Sequence, residues 1–258
     1  MSLFDLTGKV AVITGSSKGI GRAIAERMAE HGAKVVISSR KAEACEAVAA
    51  GIRANGGEAV AHACNVSRKE ELKGLVEATL AHWGRIDILV CNAAANPYYG
   101  PLAKISDEAM EKTLATNVKG VVWLANLVLP QMAERRDGVI IIISSIGGFI
   151  GSDTLGFYNV SKAAEQSLAR SLAYEWGGKN IRVNCIAPGL VKTDFSRALW
   201  EDPPLLAKRV ATSALKRIGD ADEIAGTAVY LAARAGAFVT GQTIVVDGGR
   251  LVGVLPPD

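Results

Sequence analysis

The sequence has few of the features that mark membrane, secreted or nucleic-acid-binding proteins. No apolar run approaches the roughly 20 residues that cross a bilayer, and the first residues lack both the charged and the apolar region of a signal peptide. The formal net charge of +3 over 258 residues is far from the basic balance of a nucleic-acid binder. We therefore expect a cytoplasmic protein that binds neither a membrane nor a nucleic acid.

Cysteine and histidine are scarce as well. The four cysteines and three histidines lie singly, without the spacing of metal ligands or of a disulfide framework: Cys45, Cys64, Cys91, Cys185, His31, His62 and His82. We expect buried thiols in a reducing compartment, and no metal site.

The chain does contain a regular alternation of strand-like and helical patterns. Hydrophobic residues make up 49% and charged residues 21%, which suits one compact domain with a sizeable core. Helical patterns separate seven short apolar runs that are typical of buried strands: 9–14, 34–38, 59–64, 86–91, 139–144, 182–187 and 243–246. The alternation predicts an α/β fold over residues 1–258, with a parallel sheet covered by helices on both faces.

Three of the helical predictions are specific enough to test. Ser67 and Glu70 have the spacing of a capping box for a helix that runs to about Trp83. One long helix is expected over 106–135, and another over 160–176.

The first strand run leads directly into a glycine-rich turn, Thr14-Gly15-Ser16-Ser17-Lys18-Gly19-Ile20-Gly21, and a helical pattern follows. Glycines permit a tight turn and let the backbone approach a pyrophosphate, while the helix N-terminus supplies N–H donors. Strand, glycine turn and helix together predict a dinucleotide site. The alternative is a plain turn between a strand and a helix.

The residues after the second strand indicate which dinucleotide is bound. An acidic residue there would accept a hydrogen bond from the adenosine ribose 2′-hydroxyl and repel a 2′-phosphate. The chain instead has Ser39 and Arg40, and Lys18 can point the same way. Each charge-assisted hydrogen bond contributes about 1.5–3 kcal/mol, so we expect a preference for NADP(H), with NAD(H) possible. A solvated basic pair is the alternative.

A serine, a tyrosine and a lysine follow the fifth strand run. Ser145 ends that run, a glycine-rich loop follows, and Tyr158 and Lys162 lie one helical turn apart. An ammonium at about 5 Å and an effective dielectric of about 20 interacts with the phenolate by roughly 3 kcal/mol, or about two pKa units. Lys162 would thereby prepare Tyr158 for acid–base work. The alternative is an ordinary amphipathic pair.

Residues 190–215 form the longest irregular stretch and carry large apolar side chains among charges and prolines. Loops of this length in a compact domain are often lids over a site. Leu155, Leu190, Phe195 and Trp200 therefore predict an apolar substrate pocket beneath a lid.

The motifs in combination resemble the short-chain dehydrogenase/reductase family, over residues 9–249. In chain order they are Thr14-Gly15-x-x-x-Gly19-x-Gly21, Asn92-Ala93, Asn117, Ser145, Tyr158-x-x-x-Lys162, Pro188-Gly189 and Asp247-Gly248. The residues around Asn92 and Arg40 are similar to those of the NADP(H)-dependent carbonyl/retinol reductase branch. The chain departs from the family at Cys91 and Ala94, where Asn-Asn-Ala-Gly is usual, and at Asn65, where an aspartate usually faces the adenine.

The resemblance implies a Rossmann-like, doubly wound, seven-stranded sheet and a homotetramer. It also implies a catalytic tetrad in which Tyr158 is the general acid–base and Ser145 holds the substrate oxygen. Lys162 would bind the nicotinamide ribose, and Asn117 would interrupt its helix and hold a water linked to Lys162.

The resemblance and the residue patterns together give the expected site residues. The cofactor would contact Gly15, Ser17, Lys18, Gly19, Ile20, Gly21, Ser39, Arg40, Asn65, Val66, Asn92, Ala93, Tyr158, Lys162, Pro188, Gly189, Val191 and Thr193. The substrate would contact Ser145, Leu155, Tyr158, Leu190 and Phe195.

The expected activity is hydride transfer between NADP(H) and a ketone or secondary alcohol. One alternative is a 3-oxoacyl-[acyl-carrier-protein] reductase, in which Arg135, Arg136 and Lys179 would meet an acidic carrier. A non-catalytic dinucleotide sensor or scaffold is the other.

Overall fold

Seven strands form one parallel sheet in the computed structural model, which describes residues 2–253. The strands are β1 Val10–Thr14, β2 Lys34–Ser38, β3 Glu58–Ala61, β4 Ile88–Cys91, β5 Gly138–Ile143, β6 Ile181–Pro188 and β7 Thr243–Val246. Their order across the sheet is β3-β2-β1-β4-β5-β6-β7, and every neighbouring pair is parallel. The order therefore reverses between β1 and β4, which is where ligands bind in sheets of this kind.

Helices cover both faces of the sheet, as predicted. The α-helices within residues 2–253 are α1 Gly19–Glu30, α2 Ala42–Ala54, α3 Lys69–Trp83, α4 Asp107–Leu114, α5 Gly120–Arg135, α6 Gly156–Trp176, α7 Pro203–Ala211 and α8 Ala221–Ala232. One hydrophobic cluster includes residues of α1, α2 and α8, and the other includes residues of α3, α5 and α6. The architecture is the doubly wound, Rossmann-like fold that the motifs imply.

Strand β5 shows why the strand runs are apolar without interruption. All six of its residues are buried. Val139, Ile141 and Ile143 belong to one cluster, whereas Ile140 and Ile142 belong to the other. Successive side chains of a strand point to opposite faces, so a strand between two helical layers needs apolar residues at every position.

The predicted capping box of α3 is wrong. The Ser67 hydroxyl donates to Asn65 Oδ1 at 2.9 Å, and Glu71, not Glu70, accepts from the Asn65 backbone N–H at 2.7 Å. Helix α3 begins one residue later than the box requires, after Arg68, which caps nothing with its side chain. A complete capping box instead lies at α8, formed by Asp220 and Glu223.

The single helix predicted over 106–135 is interrupted. A π turn, Ala115–Lys119, separates α4 from α5 and contains Asn117. The Asn117 side chain is fully buried and bonds to the backbone of Ala95, outside the helix. π turns commonly occur at functional sites in helices.

The segment 190–215 is more regular than predicted. It contains a short 3₁₀ turn, Arg197–Leu199, and the helix α7. The Asp202 side chain caps α7 by accepting from the Leu205 N–H at 3.1 Å. Prolines interrupt a helix interior but are favoured at its first position, so Pro203 begins this helix.

No helix within residues 2–253 is both long and apolar enough to cross a membrane. Residues 254–258 lie outside the described part of the chain.

We expect the α8 capping box, and not the spacing at α3, to contribute to stability. Asp220→Ala removes an N-cap acceptor and should lower the free energy of unfolding by about 1 kcal/mol. Glu70→Ala removes an exposed side chain and should change it by less than about 0.5 kcal/mol. Urea unfolding at one protein concentration measures both. Equal losses in the two variants would contradict the assignment.

Candidate active site

The predicted site residues converge at the carboxyl edge of the sheet. The glycine turn follows β1, Asn92 follows β4 and Ser145 follows β5. Helix α6 brings Tyr158 and Lys162 to the same edge, because its first turns pack against the loop after β5. The topology therefore places chemistry from distant parts of the chain at the switch point of the sheet.

The glycine turn packs so closely against the loop after β4 that it has no room for side chains at Gly15 and Gly21. A Cβ on Gly15, whose φ is +66°, would lie 2.9 Å from Ala93 Cα, and one on Gly21 would lie 2.5 Å from the Gly15 carbonyl oxygen. The Asn92 amide donates to the carbonyls of Thr14 and Gly15 at 2.9 and 3.0 Å. Only glycine fits at either position without displacing the turn, and Asn92 ties the β4 loop to it.

The N-terminus of α1 presents backbone donors to this turn. Lys18 is its N-cap residue, and no side chain caps the helix. Ser17 and Ile20 flank the turn, and Ile20 packs against the core. Free N–H groups at a helix N-terminus and a cradle that a Cβ would fill are the features that a pyrophosphate requires, so these residues fit a dinucleotide.

The beginning of the 190–215 segment lies against the same turn. A Cβ on Gly19 would be 3.3 Å from Thr193 Cγ2. Lys18 Nζ lies 3.0 Å from Asp194 Oδ2, and Arg197 Nη2 lies 2.5 Å from Asp194 Oδ1. Hydrogen bonds from Lys18 and Arg197 hold the pKa of Asp194 below its usual range.

Ser39 and Arg40 differ in their availability to a ligand. The Ser39 hydroxyl lies 3.2 Å from Cys45 Sγ. Arg40 is exposed, and its side chain makes no hydrogen bond or ion pair with any residue of the described part of the chain. Its guanidinium is therefore free for an anionic ligand, whereas the Lys18 ammonium has Asp194 as a partner.

Asn65 and Val66 lie beyond β3, where the adenine is expected. Asn65 Oδ1 accepts from both the backbone N–H and the hydroxyl of Ser67, at 3.1 and 2.9 Å. These bonds occupy both lone pairs of the Asn65 amide oxygen. Asn65 stands where the family usually has an aspartate facing the adenine. The Val66 carbonyl packs so closely on α5 that a Cβ on Gly120 would lie 2.6 Å from it.

The loop after β6 is held by the end of β7. The Gly189 N–H donates to the Val246 carbonyl at 2.9 Å, and a Cβ on Gly189 would lie 2.8 Å from Asp247 Cα. Pro188 ends β6, and Val191 pairs with Gly219 in an isolated bridge. This packing directs the 190–215 segment from β6 toward the glycine turn.

Asn117 makes three side-chain hydrogen bonds within the protein. Its Oδ1 accepts from the Ala95 N–H at 2.8 Å, and its Nδ2 donates to the Ala95 carbonyl and to the Ser161 hydroxyl, both at 3.0 Å. Asn117 therefore fixes the loop after β4 against α6, with both amide hydrogens and one lone pair of its Oδ1 in use.

Ser145 and Tyr158 face each other across the start of α6. The Ser145 hydroxyl accepts from the Gly147 N–H at 3.0 Å, and its proximity to the Tyr158 hydroxyl lowers the pKa of that phenol. Lys162 Nζ lies 5.5 Å from the centroid of the Tyr158 ring. The predicted trio is thus in one place, with phenol and ammonium on one helix face.

Two polar residues of α6 that the sequence analysis did not single out secure the loop that carries Ser145. Asn159 Nδ2 donates to the Ile150 carbonyl at 3.0 Å, and Gln166 Nε2 donates to the Ser145 carbonyl at 3.2 Å. Both side chains are buried. Buried polar side chains on a helix face that should be apolar are the signal that could have identified them.

A third residue missed from the sequence is Glu165. Lys162 Nζ lies 2.9 and 3.1 Å from the two Glu165 carboxylate oxygens, and 3.0 Å from the Ile143 carbonyl oxygen. Both side chains are almost fully buried, at 1% exposure for Lys162 and 2% for Glu165. The ammonium expected to act on Tyr158 is therefore already paired with a carboxylate.

This pairing changes the electrostatics expected from the sequence. Burial raises the pKa of Tyr158, and Lys162 lowers it. Glu165 raises it again, so the phenol has a pKa above its ordinary value. The effect of Lys162 has the predicted direction, but the predicted net lowering is wrong, because burial and Glu165 oppose it.

The expected substrate residues are only partly brought together. The Phe195 ring lies 6.2 Å from the Tyr158 ring, centroid to centroid. Leu155 and Tyr158 line a small pocket with Tyr98. Leu190 is not among the residues that line it, and its carbonyl accepts from the Gly219 N–H at 2.9 Å. Apolar groups therefore face Tyr158 from the 190–215 segment and from the start of α6.

Comparison with known proteins agrees with the motifs. The family model described as enoyl-(acyl carrier protein) reductase matches residues 15–250. Dehydrogenase/reductase SDR family member 4 of Bos taurus is 43% identical over 246 residues, covering 95% of this chain and 88% of that protein. The human dehydrogenase/reductase SDR family member 2, mitochondrial, is 40% identical over 243 residues, covering 94% and 86%.

Solved structures match the whole architecture. A gluconate 5-dehydrogenase from Burkholderia cenocepacia J2315, in complex with NADP and tartrate, has a TM-score of 0.94 at 33% identity, with 98% of both chains covered. A 7α-hydroxysteroid dehydrogenase complexed with NADH and 7-oxo glycochenodeoxycholic acid has a TM-score of 0.93 at 35% identity, with 98% of this chain and 97% of that chain covered. With the resemblance in motifs confirmed in this way, the chain is an oxidoreductase acting on CH–OH or C=O groups and belongs to the short-chain dehydrogenase/reductase family.

Proposed function

We propose that this enzyme transfers a hydride between NADP(H) and a ketone or secondary alcohol, with Tyr158 as the general acid–base. The observation that carries the proposal is the convergence of Ser145, Tyr158 and Lys162 beside an uncapped glycine turn. When bound, the nicotinamide cofactor supplies or accepts the hydride.

In the reductive direction, the chain's own residues hold the substrate and supply its proton. The Ser145 hydroxyl donates to the carbonyl oxygen and orients it toward Tyr158. The Tyr158 hydroxyl gives its proton to that oxygen as negative charge develops there. The Lys162 ammonium, 5.5 Å from the phenol ring centroid, stabilises the phenolate that remains.

Asn117 contributes through position. Because its side chain is bonded to Ala95 and Ser161, it holds the loop after β4 and α6 at a constant separation. We propose that the expected water linked to Lys162 binds the backbone of the π turn, because three of the four hydrogen-bonding positions of the Asn117 amide are already used. We retain Asn117 in the tetrad in this role.

The preference for NADP(H) is supported by charge. Arg40 is exposed and unpaired among the described residues, and no acidic residue follows β2 before α2. Lys18 faces Asp194, so it would have to leave that partner to meet a 2′-phosphate. Arg40 is therefore the stronger determinant of the two. The relatives' complexes contain NADP in one case and NADH in the other.

The substrate that fits best is an apolar ketone or secondary alcohol. Phe195 and Leu155 face the Tyr158 side of the site, and Phe195 is 58% exposed, which leaves its ring free to contact a ligand. We propose that residues 190–215 act as a lid that carries Phe195 over the substrate, within a single domain spanning residues 1–258.

The 3-oxoacyl-[acyl-carrier-protein] reductase alternative depended on basic residues that would meet the carrier near the site, and these residues lie far from it. Arg135 and Arg136 lie within three residues of the start of β5, and Lys179 lies two residues before β6, whereas Ser145 follows the carboxyl end of β5. A strand of six residues spans about 20 Å, so the basic residues lie at the opposite edge of the sheet. No observation favours the sensor or scaffold alternative either.

Assembly and location are proposed on the family resemblance. We propose a homotetramer, for which α6 supplies outward apolar side chains: Val160 is 53% exposed and Tyr174 is 94% exposed. We also propose a cytoplasmic location, although one relative carries a mitochondrial designation. Sedimentation and cell fractionation test these two statements.

We expect Tyr158→Phe to lower kcat for carbonyl reduction by at least about 100-fold, because the proton donor is lost. NADPH affinity, measured by quenching of protein fluorescence, should change little. Tyr99→Phe is the matched control, because Tyr99 is 56% exposed and is not among the residues that line the pocket beside Tyr158. Retained turnover in Tyr158→Phe would contradict the mechanism.

We expect Arg40→Ala to weaken NADPH binding about 10-fold or more, because a charge-assisted hydrogen bond to the 2′-phosphate is lost. NADH binding should stay within about 2-fold. Arg22→Ala, which removes an exposed arginine of α1 paired with Glu26, controls for net charge. Equal weakening of both cofactors would show that Arg40 does not select between them.

A further inference from the structure

The carboxylate of Glu165 occupies the interior beside the catalytic lysine. It lies three residues after Lys162 on α6 and is bonded to the ammonium through both oxygens. The Ile143 carbonyl holds the ammonium from the end of β5, at 3.0 Å. The Ser144 hydroxyl donates to the Lys162 carbonyl at 2.9 Å and lowers the pKa of the neighbouring Glu165.

The surroundings of Glu165 supply no second cation. On α6, Tyr158 and Lys162 are the titratable groups that act on it. From the sheet, the Cys91 thiol on β4 and the Cys185 thiol on β6 face it. Burial raises the pKa of both thiols, so both are neutral at physiological pH. Lys162 is consequently the one positive charge that stabilises the buried carboxylate within the described residues.

A buried ion pair of this kind is not explained by stability. Replacing a buried pair with apolar residues of similar volume is often neutral or stabilising, because desolvation offsets the attraction. The carboxylate does, however, have two consequences for the neighbouring chemistry. It draws the ammonium toward the end of β5, and it cancels much of the positive field that Lys162 exerts on Tyr158.

We propose that Glu165 is a positioning residue that controls, through its own protonation, how strongly the Lys162 charge acts on Tyr158. The inference rests on the proposed role of Tyr158 as acid–base. With Glu165 ionised, Lys162 is neutralised and Tyr158 holds its proton, as carbonyl reduction requires. With Glu165 protonated, the ammonium acts on the phenol and favours the phenolate, which alcohol oxidation requires.

The titration of Glu165 falls in the range where this control matters. Burial raises its pKa, whereas Lys162 and the Ser144 hydroxyl lower it, and the resulting pKa is about 7. Tyr158, Lys162 and Glu165 lie within about two turns of α6, so their titrations are coupled.

Glu165→Gln separates this role from a structural one. The phenolate absorbs in the ultraviolet, so absorbance is measured as the pH is raised. The absorbance of each protein minus that of the same protein carrying Tyr158→Phe gives the titration of Tyr158 alone. We expect the midpoint of its titration to fall by about one pH unit in Glu165→Gln, because the Lys162 charge is no longer cancelled. The alkaline limb of kcat/KM for reduction should move down with it. An unchanged or higher midpoint would overturn the proposal.

Glu175→Gln is the control for charge. Glu175 is an exposed acid on the same helix, and its loss should leave the Tyr158 midpoint in place. The absorbance measurement needs no substrate, so it separates the two claims. An active Tyr158→Phe enzyme would refute the proposed function, whereas a fixed midpoint in Glu165→Gln would refute the role of Glu165.

Thermal unfolding tests the titration of Glu165 without a spectroscopic probe, with Glu165→Asp as the second variant. A carboxyl group with a raised pKa stabilises the native state fully below its unfolded-state pKa, and this stability is lost as the pH rises through the folded-state pKa. The Tm of the wild-type protein should therefore fall between pH 5 and 8, relative to Glu165→Gln, by about 4 °C or more. Glu165→Asp, which keeps a carboxylate, should follow the wild type. A constant difference between wild type and Glu165→Gln would show that Glu165 does not titrate there and would overturn the proposal.

Discussion

The burial of the Lys162 ammonium constrains the rest of the site. A cation with 1% exposure must have its charge compensated and its donors satisfied, and Glu165 and the Ile143 carbonyl meet both demands. That arrangement requires α6 to pack directly on the end of β5. The same packing brings Ser145 to Tyr158, so the catalytic geometry and the compensation of a buried charge have one structural cause.

The sheet supplies the precision that this arrangement needs. Both faces of β5 are covered by apolar layers, and its carboxyl end cannot shift without disturbing both. Hydrogen bonds then extend that rigidity into the loops. Asn92 ties the β4 loop to the glycine turn, and Asn117 ties the same loop to α6 through Ala95 and Ser161. Small polar side chains thus connect the cofactor side of the site to the catalytic side.

The architecture was predicted well because hydrophobic periodicity, and the glycines and prolines that end each element, are local signals. The bounds of β2 and β7 were predicted residue for residue, and the strand–turn–helix motif located the glycine turn. Predictions failed where the outcome depended on competing partners. Ser67 bonds to Asn65 in place of capping α3, and Asn117 bonds to Ala95 across space, which no spacing rule reveals.

The largest error concerned charge, and its cause is general. The spacing of Tyr158 and Lys162 predicted their contact correctly, and Coulomb's law predicted the sign of their interaction. A pairwise argument, however, omits burial and every partner beyond the pair. Here burial acts more strongly on the phenol than the ammonium does, and Glu165 opposes the ammonium. One sequence shows that a carboxylate lies three residues from a lysine, a spacing that usually marks a solvated pair. Only the fold shows that both are inside, where the same pair governs the chemistry of its neighbour.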